Sequence, residues 1–282
     1  MNEQQSAAVW QGGDLDLEAY LERIAFEGPR EATLETLGRL QRAHTTSIPF
    51  ENVHAVRGLP LPIDLASVQE RLVTRRRGGY CFEHVVLFAA ALERLGFDFT
   101  AVSGRITLGA PRLTPATHAM VIVRFADDPR SWLCDVGFGT GPTAPIELAD
   151  GAELEADGWR YRLVRRPGDL ADIWSLQQYG PDGFTDRNAF ALLQQYPIDF
   201  RVGSHYVGTH PRSPFVTRLF AQRFNGTEHH QIDGTVWKTF TPDGRTVERK
   251  VDPEDIGALL AETFDLELDP GELAALHHPE HP

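Results

Sequence analysis

The sequence predicts an α+β fold: an N-terminal helical bundle, an antiparallel β-barrel and a C-terminal region that mixes strands with helix. Three observations predict it. Apolar residues recur at helical spacing up to about residue 96, the period falls to two from Phe97, and from about Pro211 two strands precede a late helix. No long helix separates the central strands, so they read as an antiparallel sheet or barrel and not as a dinucleotide-binding unit. The corresponding divisions are 1–96, 97–210 and 211–282.

In the first region, Leu15, Leu17, Tyr20, Leu21 and Ile24 mark one amphipathic helix, and Leu34, Leu37 and Leu40 a second. Asp64 is placed to cap a third that buries Leu65, Val68 and Leu72, and Pro60 and Pro62 keep the segment before it extended. Val85, Phe88, Ala89, Leu92 and Leu95 define a further helix, stopped by Gly96. The central strands are expected over 99–108, 117–125, 132–138, 159–164 and 173–179. Asp150-Gly151, Asp157-Gly158 and Asp182-Gly183 supply turn signals around them. In the third region, strands over 235–240 and 246–251 join through Asp243-Gly244. Asp252-Pro253 then opens a helix that buries Ile256, Leu259, Leu260 and Phe264. His277, His278 and His281 read as a frayed tail.

Composition narrows the function. A net charge of -13, from 27 Lys+Arg against 40 Asp+Glu, argues against a nucleic-acid partner, which needs a basic face. Lys238 and Lys250 are the only lysines, so anion sites would be built from arginine. The opening Met1-Asn2-Glu3-Gln4-Gln5 lacks the pattern of a secretory signal, and no apolar run approaches the roughly 20 residues of a membrane helix. A cytoplasmic protein without a membrane partner is expected. The two cysteines, Cys81 and Cys134, form neither a disulfide framework nor a metal-ligand spacing, so no metal is expected.

The chemistry centres on Cys81. Two glycines, Gly78 and Gly79, feed it into the first turn of an apolar helix. Helix-start N–H groups carry partial positive charge without intrahelical partners, so they favour a thiolate and can receive an oxyanion. The competing reading is a buried, inert cysteine. A nucleophilic thiol needs a base and a group that orients the base. His118 stands near the start of one expected strand and Asp135 near the end of the next. A turn around Asp128-Pro129 would bring them side by side. Asp135 lies among Leu133, Cys134 and Val136, where burial without a partner is costly. A core histidine satisfied by a carbonyl, and an aspartate capping Gly137-Phe138-Gly139, remain open for the two residues separately.

Other groups compete less well. His84 follows Cys81 by three residues but would point along the helix; His205 and His210 flank a loop; His229-His230 reads as exposed. Arg75 and Arg76 read as helix-ending cations, and Glu51 as a partner for Arg77 that holds the loop before Cys81. Gly137 to Gly141 lacks the lysine and spacing of a phosphate-binding loop, and suits close backbone approach beside an active site.

Taken in order, Ile48-Pro49-Phe50-Glu51-Asn52, Arg77-Gly78-Gly79-Tyr80-Cys81-Phe82-Glu83, Thr117-His118, Asp135-Val136-Gly137-Phe138-Gly139 and Thr209-His210-Pro211-Arg212-Ser213-Pro214-Phe215 resemble the landmarks of the arylamine N-acetyltransferases. The resemblance implies that the C-terminal α/β region is a lid and that the catalytic core is cysteine-protease-like, with Cys81, His118 and Asp135 as its triad. It implies acetyl-coenzyme A as co-substrate, a ping-pong route through a Cys81 thioester, and an aromatic amine, hydrazine or hydroxylamine as acceptor. By the same resemblance Phe138, Phe50 and Val85 would contact the acceptor, while Thr209, Gly137, Gly139, Ser213 and Phe215 would hold the cofactor. Three residues depart from the common pattern: Val85 where an asparagine is frequent, Cys134 in place of an aliphatic, and Thr140 in place of a second glycine. The same fold resembles amide synthases that close ansamycin-type macrolactams from a carrier-protein-bound polyketide, which is the alternative. A cysteine hydrolase would share the triad and dispense with coenzyme A.

Overall fold

Every early helix in this computed structural model, which describes residues 9–110 and 112–277, begins where a side chain or turn satisfies orphan N–H groups. A 3₁₀ turn over Gly12–Asp14 leads to α1 (Leu17–Arg23), where Asp16 accepts from the Ala19 N–H. Thr33 does the same for α2 (Leu34–Ser47) through Thr36. A two-residue strand, β1 (Phe50–Glu51), and the short α3 (Val53–Val56) follow. Asp64 caps α4 (Leu65–Gln69) by accepting from Ser67, as its position predicts, and the helix then widens into a π-helical turn over Glu70–Thr74. The central helix is α5 (Cys81–Arg94), buried without interruption from Cys81 to Leu92. It is a core helix rather than a surface amphipathic one. Gly96 ends it at a φ of +80°, the left-handed conformation that glycine adopts without strain.

The barrel comprises β2 (Asp98–Ile106), β3 (His118–Phe125), β4 (Asp128–Cys134), β5 (Ile146–Glu147), β6 (Glu153–Ala156), β7 (Trp159–Arg166), β8 (Ile173–Gly180) and β9 (Gly183–Gln195). Its strand order is β5-β4-β3-β2-β9-β8-β7-β6, with antiparallel pairing throughout, and the edge strands β5 and β6 approach one another so that the sheet nearly closes. Asp157 and Gly158 both take positive φ between β6 and β7, as a two-residue hairpin with right-handed strand twist requires. Two expectations are corrected. The turn before β4 falls at Ala126-Asp127, because Phe125 pairs with Asp128 and draws Pro129 into the strand. The expected set of barrel strands is also incomplete, since β5, β6 and β9 fall outside it.

After the barrel, α6 (Pro197–Thr209) returns to pack on α3 and α5. A 3₁₀ turn over Pro214–Val216 precedes β10 (Phe220–Asn225), β11 (Glu228–Asp233), β12 (Val236–Phe240) and β13 (Thr246–Lys250). These strands, with β1 added beside β10, make an antiparallel sheet in the order β1-β10-β11-β12-β13. The helix α7 (Ile256–Phe264) buries Ile256, Leu259, Leu260 and Phe264 against Ala221 and Ile232 of that sheet. Asp252 makes no side-chain cap; Pro253–Asp255 forms a 3₁₀ turn that delivers the chain to α7. α8 (Pro270–His277) follows, so His277 closes a helix, while His278 and His281 lie outside the described residues. The C-terminal sheet with α7 and α8 is the α/β lid. Among the described residues no helix is long and apolar enough to cross a membrane.

Candidate active site

The loop before Cys81 is held by close packing. A Cβ added at Gly78 would lie 2.3 Å from the Pro49 carbonyl oxygen, and one at Gly79 would lie 2.9 Å from Glu83 Oε2. Glycine is needed here for contact, not for flexibility. The Gly79 N–H donates to Pro49 O (3.2 Å) and the Glu51 N–H to Gly79 O (2.9 Å), which joins β1 to the loop. Glu83 fixes the start of α5 by accepting from the Tyr80 N–H at 3.1 Å and by pairing with the buried Arg71.

The expected Glu51 to Arg77 pair is not formed. Glu51 is buried and turns its carboxylate onto the Val53 N–H, starting α3, and burial raises its pKa. Arg77 instead reaches α8, where it pairs with Glu272 and donates to the Glu267 carbonyl at 2.7 Å. Glu272 also takes Arg57 at 2.8 Å. Arg75 pairs with Glu70 on the exposed surface at the end of the π-helical turn, in keeping with a helix-ending role. Asn52 ties the same loop to the lid: its Nδ2 donates to Phe215 O and Arg218 O, each at 2.8 Å, and its Oδ1 accepts from the Phe220 N–H.

Cys81 is 6 % exposed, and its thiol donates to Thr117 O at 3.3 Å. His118, the next residue, starts β3 opposite Gly104. Because Val121 pairs with Cys134, the residue after β4 returns to the level of the start of β3, and His118 Nε2 meets Asp135 Oδ2 at 2.9 Å. Asp135 is fully buried. It also accepts from Asn188 Nδ2 at 3.0 Å and from the Gly137 N–H at 3.3 Å. Partner of His118 and cap of the glycine turn are therefore one role. Burial opposes a charge on His118, but the Asp135 carboxylate and the Cys81 side chain outweigh it, and the pKa is pushed up to about 10. With Nε2 engaged by Asp135, Nδ1 is the nitrogen left for the sulfur.

Gly137 and Gly139 let backbone pass between α5 and the lid. A Cβ at Gly137 would sit 2.8 Å from Cys81 Cα, and one at Gly139, whose φ is +76°, would sit 2.3 Å from Gln222 Oε1 of β10. Phe138, between them, meets the His118 ring edge-to-face, with centroids 5.5 Å apart. Phe50 packs on Phe215 and Phe220 beside His84. Val85 is fully buried in α5. The Ser213 hydroxyl donates to Val207 O at 2.6 Å and accepts from the Phe215 N–H. Thr209 donates to His205 O at the end of α6. It lines a groove of about 1080 Å³ with Arg57, Arg201 and His205.

The remaining histidines separate. His84 is buried and links His44 Nε2 (2.9 Å) to Gly79 O (3.1 Å), while His44 Nδ1 meets the Tyr20 hydroxyl at 2.8 Å. Burial drives the His84 pKa down to about 4. His229 and His230 are buried on β11, contrary to their exposed reading, because β11 lies inside the lid sheet between β10 and β12. Among the described residues no three His, Cys, Asp or Glu side chains gather as a metal-ligand set.

A sequence model of the N-acetyltransferase family matches residues 33–273. The arylamine N-acetyltransferase of Mycobacterium tuberculosis is 35% identical over 270 residues, covering 93% of each chain. The crystal structure of the Nocardia farcinica arylamine N-acetyltransferase superposes with a TM-score of 0.93 at 51% identity, over 97% of each chain. That of the Mycobacterium marinum enzyme in complex with CoA superposes with a TM-score of 0.86 at 33% identity, over 92% of this chain and 97% of that one. The N-terminal helices, the barrel that carries His118 and Asp135, and the lid are thus shared with proteins of one kind, and the chain belongs to the arylamine N-acetyltransferase family.

Proposed function

We propose that the protein transfers an acetyl group from acetyl-coenzyme A to the nitrogen of an arylamine, arylhydrazine or arylhydroxylamine, by way of a thioester on Cys81. The observation that carries this reading is the His118 to Asp135 contact at 2.9 Å beside a cysteine that opens a buried helix. The CoA bound to the Mycobacterium marinum relative supports the choice of donor.

His118 Nδ1 takes the Cys81 proton, and Asp135 stabilises the resulting imidazolium. The thiolate attacks the thioester carbonyl, and N–H groups at the start of α5 receive the developing oxyanion. Collapse expels coenzyme A, which recovers the proton from His118. The amine nitrogen then attacks the acyl-Cys81 carbonyl, His118 accepts the amine proton, and the amide leaves as the proton returns to sulfur. Phe138, edge-on to His118, would form the acceptor wall, with Phe50 and Val85 shaping the space behind it. Gly137 keeps backbone close to Cys81 and Gly139 keeps it close to β10; with Thr209, Ser213 and Phe215 they would hold the cofactor. The amide-synthase alternative gains no observation of its own.

Intact mass after incubation with acetyl-coenzyme A tests the reading. One acetyl adduct is expected on the wild type, none on Cys81→Ala, and the adduct should be discharged by an arylamine or hydrazine. An unmodified wild-type protein, shown to be folded, would overturn acetyl transfer. Hydrolysis of the adduct as fast as its transfer to amine would point to a hydrolase.

A further inference from the structure

The loop that carries Phe138 has no backbone framework of its own. Among the described residues, positions 135–145 make no backbone–backbone hydrogen bond, although Gly137 packs on α5 and Gly139 on the lid. Backbone withdrawn from water must find partners elsewhere. Here they are side chains. The Gln41 amide of α2 donates to Pro142 O at 2.7 Å, and the Tyr161 hydroxyl of β7 lies 3.4 Å from both Thr140 O and Gly141 O. The Thr143 hydroxyl donates to Asp157 Oδ2 at 2.6 Å, at the β6–β7 turn, where Asp157 also pairs with Arg42 of α2. Arg187 of β9 donates to the Thr140 hydroxyl.

Gln41 is the informative member of this set. It is fully buried, its Nε2 bonds the loop, and its Oε1 has no partner. An apolar side chain of the same volume would fill the space without an orphan oxygen, so the amide is costly apart from the bond it makes to Pro142. That bond reaches the acceptor side by a short path. The loop doubles back, so that a Cβ added at Gly141 would lie 2.8 Å from Asp135 O and 3.4 Å from Phe138 Cβ. Gly141 thus packs against Phe138, and a shift of Pro142 is passed to the ring that meets His118 edge-to-face. We propose that Gln41 is a positioning residue for the second half of the reaction. Through Pro142 and Gly141 it holds Phe138 as the wall on which the ring of the acceptor lies while the amine nitrogen attacks acyl-Cys81. The proposal rests on the acetyl-transfer reading. Asp135 has anchors outside the loop, His118 and Asn188, so formation of the thioester does not depend on Gln41.

The test loads Cys81 with acetyl and follows discharge of the adduct by quenched intact mass. Aniline, which has a ring to place, is compared with hydrazine, which has none. In Gln41→Met, discharge by aniline should slow about 3- to 10-fold, the scale of one neutral hydrogen bond, while adduct formation and discharge by hydrazine stay within about twofold of wild type. Thr143→Val removes the neighbouring bond to Asp157 with little change of shape and should show the same split. It decides the matter if Gln41→Met does not fold. A folded variant without the split, whether both nucleophiles slow alike or neither slows, would overturn the inference and leave Gln41 a purely structural residue. A wild type that forms no adduct would instead overturn acetyl transfer itself.

Discussion

Cys81 has two histidines to hand, and they behave as opposites. His84 lies one turn further along α5 and His118 starts a strand of the barrel; both are almost wholly buried, at 1% and 2% exposure. Burial works against the charged form of each. His84 meets only neutral groups, His44 and the Gly79 carbonyl, and its pKa falls to about 4. His118 meets a carboxylate, and its pKa rises to about 10. Burial therefore makes one histidine a neutral strut, and burial beside an aspartate favours the charged form of the other. Nearness to the cysteine in sequence decides neither.

The largest effect is expected from removing that carboxylate. Asp135→Asn keeps the size of the side chain but puts His118 in the situation of His84, with burial unopposed. The rate of Cys81 acetylation, followed by intact mass or by coenzyme A release, should fall about 10⁴-fold, the scale seen when a triad loses its acid. A fall of less than tenfold would mean that the difference between the two histidines does not govern the chemistry.

The two cysteines sharpen the same contrast. Cys134 is fully buried on β4, and burial raises its pKa well above the ordinary thiol range, with the neighbouring Asp135 charge adding to the rise. Cys81 sits at a helix start beside His118. Iodoacetamide should label one thiol per native chain, and Cys81→Ala should take up no label until unfolded, with a rate difference of about 100-fold or more between the sites. Fast labelling of Cys134 would break the contrast.

Much of this centre was legible in the chain because each part carries a local signal. A helix start at Cys81 and a strand, turn and strand that bring His118 to Asp135 need only periodicity and turn residues, and a turn displaced to Ala126-Asp127 leaves the pairing intact. The supporting residues carry no such signal. Thr185, Asp186, Arg187 and Asn188 are consecutive polar residues without strand alternation, yet they run along β9, and Asn188 is fully buried against Asp135. The alternation is hidden because the inward position is polar for the sake of the site. β1 has two residues and pairs with β10 far along the chain, so no window of sequence could disclose it. His229 and His230 are polar as letters and buried by the lid. Glu51 and Arg77 are plausible partners by charge, but the choice between them was made by α8, which brings Glu272 to Arg77.

Asn188→Ala tests one of those hidden supports. It leaves Asp135 with His118 and the Gly137 N–H as donors. A hydrogen bond to a charged group is worth about 1.5–3 kcal/mol, so acetylation of Cys81 should slow by about 10- to 100-fold. A rate within twofold of wild type would show that His118 is oriented without β9.

The smallest effect on chemistry belongs to His84→Phe. Nothing in the proposed route from Cys81 to product passes through His84, so the adduct should form within about tenfold of the wild-type rate, a loss well short of the one expected for Asp135→Asn. Stability should fall by about 1–3 kcal/mol, because His44 Nε2 and the Gly79 carbonyl lose their partner. The sign of the pH dependence follows from the depressed pKa. Between the ordinary value of 6.5 and about 4 the unfolded chain binds a proton at His84 that the native chain refuses, so wild-type stability declines as pH falls through that window. His118 gives the reverse limb: its stabilisation is complete below pH 6.5 and is lost as pH rises through about 10. Urea unfolding across pH should therefore show the acidic limb reduced in His84→Phe by about 1.4 kcal/mol per pH unit, the value of one proton, with the alkaline limb unchanged. An acidic limb that persists at full slope would mean that His84 is not the neutral strut, and the contrast between the two histidines would lose one of its sides.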